Sequence, residues 1–183
     1  ASLKKHWKAS GRRVLVPMCG KTVDMLWLEE QGNSVAGVEL SDIAARAIFE
    51  ENGLQYMIRE GPLPAYTARG RDITIVCGDL FAFDEPGFTG WYDRGAFVAT
   101  PAEQRSAYAE HIDALLAPGA CRLLITLEYD DSIATGPPFS ISPEEIRRCW
   151  PDLQQVDRYD DIDNGPPKFR DAGLTEMFET IWR

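Results

Sequence analysis

One glycine stands where a dinucleotide-binding fold would place three. Between the apolar run Arg13 to Pro17 and the amphipathic segment that starts at Val23 the chain reads "MCGKT", with Gly20 its only glycine. A G-x-G-x-x-G turn needs its glycines to bring backbone N–H groups against a pyrophosphate, so a nicotinamide cofactor is disfavoured. Histidine is equally scarce. His6 lies in the N-terminal stretch "ASLKKHWKASGRR", expected to fray, and His111 sits mid-helix between Glu110 and Ile112, so no dedicated histidine base is expected. The four cysteines, Cys19, Cys77, Cys121 and Cys149, never form C-x-x-C, which removes the usual zinc and redox spacings and predicts reduced thiols in a cytosolic compartment. No apolar run approaches the roughly 20 residues of a membrane span, and no apolar h-region marks a signal peptide. Basic residues are in deficit, 19 against 29 acidic ones, and the net charge of −10 is spread along the chain. Such a field repels phosphate backbones and anionic lipid, so neither nucleic acid nor membrane is an expected partner.

No linker, repeat or low-complexity stretch divides the 183 residues, which predicts a single domain over 1–183. Arg13 to Pro17 (RVLVP) reads as a buried parallel strand, Val23 to Gln31 as a helix closed by Gly32, and Val35 to Leu40 as a second strand. Ser41 then caps a helix whose apolar face is Ile43, Ala44, Ala47 and Ile48. Residues 54–71 are rich in Gly, Pro and Arg, with short strands conceivable at Tyr56 to Ile58 and Ala65 to Ala68. Further strands are expected at Asp72 to Cys77, Trp91 to Asp93 and Cys121 to Leu127. Thr100–Pro101–Glu103 and Ser142–Pro143–Glu145 each supply an N-cap, an N1 proline and a capping-box acid for helices to Leu116 and about Trp150. Leu153 to Tyr159 and Leu174 to Trp182 follow without a crossover helix and must pair antiparallel. The alternation predicts an α/β, doubly wound, mostly parallel sheet with one antiparallel strand near its edge.

In such sheets a ligand sits beyond the carboxyl ends of the strands, which selects the loops at 17–22, 39–42, 78–81, 93–96 and 128–139. Glu39 follows Gly20 by 19 positions, close to the roughly 20 at which a carboxylate takes ribose hydroxyls in nucleotide folds. Asp79, after the strand 72–77, is placed to accept from an adenine amino group. A ribose and an adenine without a pyrophosphate, beside an acidic rim that favours a sulfonium, describe S-adenosylmethionine. Lys21 is placed either to meet the methionine carboxylate or to cap local carbonyls.

The stretches "RVLVPMCGKTVDMLWL", "GVELS", "VCGDLF", "YDRGAF", "LEYD" and "GPPFSIS" together resemble the thiopurine S-methyltransferase family, above all its bacterial members, over nearly the whole chain. "CGK" with a downstream "DRGA" separates this group from the plant halide and thiol methyltransferases that share the fold. The resemblance implies a seven-stranded, Rossmann-like S-adenosylmethionine-dependent methyltransferase that methylates sulfur in thiopurines or aromatic thiols, or selenium and tellurium species in detoxification, leaving S-adenosylhomocysteine. It implies that Met18, Glu39, Asp79 and Leu80 line the cofactor, with Gly20 and Lys21 in the same loop. Arg94 is implied near both cofactor and acceptor, and Pro137, Pro138 and Phe139 over the acceptor pocket. Lys168 and Arg170 lie near a substrate-side arginine of the family. The family also carries a longer N-terminal segment, of which "LKKHW" is the last part, which predicts a pocket open on one side. A monomer is implied.

Methyl transfer from a sulfonium to a thiolate is an in-line displacement, in which alignment is worth roughly 7–11 kcal/mol. Arg94, a guanidinium that stays charged, is the expected stabiliser of the acceptor anion; its structural alternative is an ion pair with Asp93 or Asp24. The competing reading of the whole chain is a cofactor-binding domain of the same fold with little turnover.

Overall fold

The computed structural model describes residues 2–183. The parallel centre forms where the apolar runs were read: β1 (Arg13–Val16) pairs in parallel with β2 (Ser34–Glu39) and with β6 (Phe88–Asp93), and β2 with β5 (Ile73–Cys77). With β3 (Tyr56–Arg59), β4 (Ala65–Ala68), β7 (Leu116–Glu128), β8 (Gln155–Asp160) and β9 (Phe178–Trp182), the strand order is β3-β4-β5-β2-β1-β6-β7-β9-β8. The expected seven-stranded sheet with one reversed strand is thus a nine-stranded mixed sheet. The additional pair is the hairpin β3–β4, antiparallel within itself and to β5. It folds from the Gly/Pro/Arg-rich stretch that offers no helix to cover a parallel crossover, and antiparallel pairing needs only a short turn. The final pair β8–β9 is antiparallel as expected, and β9 is also antiparallel to β7.

The chain forms two compact units, one running up to Tyr92 and including Asp113–Cys121, the other comprising Asp93–Ile112 and Arg122–Arg183. In the first, α2 (Asp24–Glu30) buries Met25 and Leu28, and α3 (Asp42–Glu51), capped by Ser41 on the Ala44 N–H, buries Ala45, Ile48 and Phe49. The described part of the N-terminal stretch opens with a helix. Its helix α1 (Ser2–His6) buries Leu3, four positions from the buried Trp7 and hence on the same face. Gly90 of β6 admits the indole: a Cβ there would lie 3.0 Å from the Trp7 ring.

In the second unit, Ser142 caps α5 (Pro143–Cys149) through the Glu145 N–H, as its motif predicts. The Thr100 motif behaves differently. Its hydroxyl donates to the Ala96 carbonyl, residues Ala102–Gln104 make one 3₁₀ turn, and α4 starts only at Arg105 (Arg105–Leu115). Arg105 is itself buried, donating to the Thr100 carbonyl and paired with Glu145 at 2.8 Å. A short α6 (Pro167–Asp171) buries Phe169 against Tyr129, with ring centroids 4.7 Å apart. Among the described residues no helix is long and apolar enough to cross a membrane, and no cluster of His, Cys, Asp and Glu is placed to hold a metal.

Candidate active site

In the first unit three loops converge on Glu39. Beyond β1 the chain turns through Met18, whose φ of +43° costs on the order of 1–3 kcal/mol for a residue other than glycine and leaves its side chain exposed. Cys19 follows, its thiol buried against Gly37 of β2; a Cβ on Gly37 would sit 2.6 Å from that sulfur. Burial, with the charge of Glu39 second, pushes the Cys19 thiol up, so it stays protonated and packs as an apolar group. The Gly20 N–H donates to Glu39 Oε2 at 2.8 Å, and the Ser41 N–H donates to Oε1 at 2.8 Å. The Gly78 N–H reaches the Glu39 carbonyl at 2.9 Å, which ties the loop after β5 to the same point. Each carboxylate oxygen, having accepted one backbone N–H, keeps a second lone pair for a ligand hydroxyl.

Asp79 is exposed and accepts the Phe81 N–H at 3.0 Å, opening the single 3₁₀ turn Leu80–Ala82. Leu80 is buried. The apolar side chains that this rim exposes are Met18, Leu40 and Phe81. Sequence reasoning did not single out Leu40 and Phe81, although both fall inside the selected loops, where an apolar side chain directly after a parallel strand is the available signal. The Lys21 Nζ pairs with Glu51 Oε1 at 2.6 Å, both side chains being exposed.

The second unit holds a cavity of about 360 Å³. Its walls combine Val98, Ala99, Ile125, Leu127, Pro137, Pro138 and Met177 with Arg94, Asp161, Asn164 and Glu179. Asp93, at the end of β6, is buried and accepts the Ala96 and Phe97 N–H groups and the Tyr108 hydroxyl, the last at 2.6 Å. Burial pushes its carboxyl up to about 6, with the Tyr108 bond pulling the other way. The turn that Asp93 closes presents Arg94, half-exposed, 3.6 Å from Glu179 Oε2. Asp24, in the first unit, accepts the Tyr92 hydroxyl at 2.6 Å. Glu179 of β9 is buried and also accepts the hydroxyl of Tyr159 on β8. Nothing in its local sequence marked it.

The loop expected over the acceptor pocket divides. Pro137 and Pro138 line the cavity, whereas Phe139 turns away: its N–H donates to the Val98 carbonyl at 2.6 Å and its ring lies 5.5 Å from the Arg105 guanidinium. Lys168 donates to the Pro137 carbonyl at 2.6 Å and the Tyr129 hydroxyl to the Pro138 carbonyl at 2.7 Å, so both hold the loop in place. Arg170 donates to the carbonyls of Ile162 and Asp163 and is not among the residues lining the cavity.

Solved structures with this fold include TehB from Haemophilus influenzae, with a TM-score of 0.65 at 14% identity; the match covers 99% of this chain but only 59% of TehB. The Burkholderia thailandensis 1,6-didemethyltoxoflavin-N1-methyltransferase, solved with 1,6-didemethyltoxoflavin and S-adenosylhomocysteine, gives 0.60 at 20% identity over 95% of this chain and 72% of its own. The fold is that of the α/β methyltransferases. The family model described as thiopurine S-methyltransferase (TPMT) matches residues 1–183. The thiopurine S-methyltransferase of Bordetella petrii is 42% identical over 99% of this chain and 86% of its own length, and that of Xanthomonas euvesicatoria pv. vesicatoria 42% over 99% and 87%. The chain belongs to the thiopurine S-methyltransferase family and is an S-methyltransferase.

Proposed function

We propose that the chain methylates the sulfur of a small aromatic or heteroaromatic thiol, thiopurines included, seated in the cavity of the second unit. S-adenosylmethionine is the cofactor; it supplies a methyl group made electrophilic by its sulfonium. The residues of the first unit fit it: Glu39 is presented for ribose hydroxyls, Asp79 for the adenine amino group, and Met18, Leu40 and Phe81 offer apolar surface for the base. Leu80 contributes to the same loop through its backbone, and the single glycine Gly20 suits a ligand without phosphates. In the second unit, the apolar walls exclude water from a bound ring while Arg94 favours the thiolate form of the acceptor. Pro137 and Pro138 shape the wall, and Lys168 and Phe139 act through that loop's position.

The observation that carries this reading is the double backbone grip on Glu39, which holds a carboxylate ready at the end of β2 in a loop with no phosphate cradle. Glu39→Ala is expected to weaken S-adenosylhomocysteine binding by about 10- to 100-fold, the worth of one or two hydrogen bonds to a charged group. Calorimetric titration checks this, and an unaltered dissociation constant refutes the role given to Glu39. Turnover with 6-mercaptopurine and with selenite distinguishes a thiol enzyme from one that also takes metalloid species. We place the activity in the cytosol, in a single copy of the chain, in keeping with four free cysteines.

A further inference from the structure

Methylation of a thiopurine has a proton to dispose of, and no histidine faces the cavity. A heteroaromatic thiol exists largely as the thione, with a ring N–H beside C=S, and its sulfur becomes a strong nucleophile only when that proton leaves. Two charged groups meet in the cavity wall: the Arg94 guanidinium, half-exposed, and the Glu179 carboxylate, buried, 3.6 Å apart. A carboxylate and a guanidinium side by side match, in their alternation of acceptor and donor, the flat H–N–C=S edge of such a thione. Tyr159 fixes the carboxylate from behind by donating to Oε1, while Oε2 is the oxygen on the Arg94 side.

We infer that Glu179 is the catalytic base for heteroaromatic thiones, taking the ring N–H proton next to C=S while Arg94 faces the sulfur. The step balances within the site. The proton passes to Glu179; the N–H electron pair becomes the new N=C bond; the C=S π pair moves to sulfur. With S-adenosylmethionine bound, that sulfur would take its methyl, and the C–S pair would stay with the neutral thioether that departs. The charge around Arg94 is conserved, because Glu179 turns neutral as the thiolate forms, and the proton leaves to water after the product departs. The inference rests on the cavity being the acceptor site, as proposed above. The other titratable group lining it is Asp161, whose carboxylate accepts the Asn164 amide at 2.7 Å.

The test compares 6-mercaptopurine with thiophenol, whose S–H ionises by itself and has no ring N–H, across a pH series. Glu179→Gln is expected to lower kcat/KM for 6-mercaptopurine by about 100-fold or more near neutral pH, the usual worth of a general base, and to change thiophenol methylation only a few-fold. The deficit should narrow as alkali removes the ring proton in solution. Equal losses for both acceptors at every pH would show a structural role and overturn the inference. So would a selective loss in Asp161→Asn without one in Glu179→Gln. Should the glutamine variant fail to fold, Glu179→Asp, which keeps a carboxylate on a shorter arm, is read by the same acceptor ratio, and an unchanged ratio counts against the role. Val98→Phe, which fills the cavity, separates the premise: unchanged 6-mercaptopurine binding and turnover there would show that the acceptor sits elsewhere, and both readings fall.

Discussion

Asp93 shows how a buried side chain sets the chemistry of its neighbour. Held by two backbone N–H groups and Tyr108, it fixes the turn that presents Arg94, at the cost of a carboxyl raised from 3.8 to about 6. Because the folded-state value lies above the unfolded one, its stabilising contribution is complete below pH 3.8 and is lost as pH rises through about 6, some 3 kcal/mol in all. Asp93→Asn should erase that slope, so urea unfolding of the two proteins from pH 4 to 7 should show the variant gaining on the wild type by up to about 3 kcal/mol. A constant difference would mean Asp93 does not titrate there. At this scale Glu39 and Arg94 were legible in the sequence, since a charged residue directly after a parallel strand is placed by topology alone. Glu179 was not. It lies within a strand between Phe178 and Thr180, and only the register of β8 and β9 delivers it to the cavity. Lys21 was legible as exposed but not as Glu51's partner, because a flexible cation takes whichever carboxylate is in reach.

Among the elements, β2 and the loop after β1 are interlocked by a missing atom. Gly37→Ala would put a methyl 2.6 Å from Cys19 Sγ and 2.9 Å from Met25 Cε, and overpacking of this kind costs about 1–3 kcal/mol. Since the displaced loop carries Gly20, cofactor affinity should fall in the same variant. Denaturation and S-adenosylhomocysteine titration measured together check this; a stability loss with intact binding would show the loop to be independent of β2. The central strands were readable because they are continuous apolar runs buried on both faces. The hairpin β3–β4 was not, because β3 shows only one partly buried residue and its sequence differs little from a loop. The capping motifs split for a comparable reason: Ser142 had no competitor for its cap, whereas the Thr100 hydroxyl found the Ala96 carbonyl.

Taken as a whole, the molecule is an acidic body with a net charge of −10 that takes up a cationic cofactor and releases a product without the sulfonium charge. Steering should therefore favour the methyl donor over its product at low salt. Raising ionic strength from about 0.01 to about 0.1 M shortens the Debye length from about 30 to about 10 Å, and the association rate of S-adenosylmethionine should fall more than that of S-adenosylhomocysteine. Stopped-flow binding decides it, and parallel salt dependences would deny any role to the overall charge. The overall class was the most legible property of all, because composition, element order and the poverty of glycine after β1 bear on many residues at once.

The grip on Glu39 has an effect on which neighbours in sequence space are open to the chain. Both oxygens face backbone N–H groups, one from Gly20 and one from Ser41. The nearest replacement in shape, glutamine, would turn an amide N–H toward one of those donors, and aspartate is a methylene too short to span them. A substitution that similarity tables score as mild is here a collision of like with like, which leaves this position with almost no route of gradual drift.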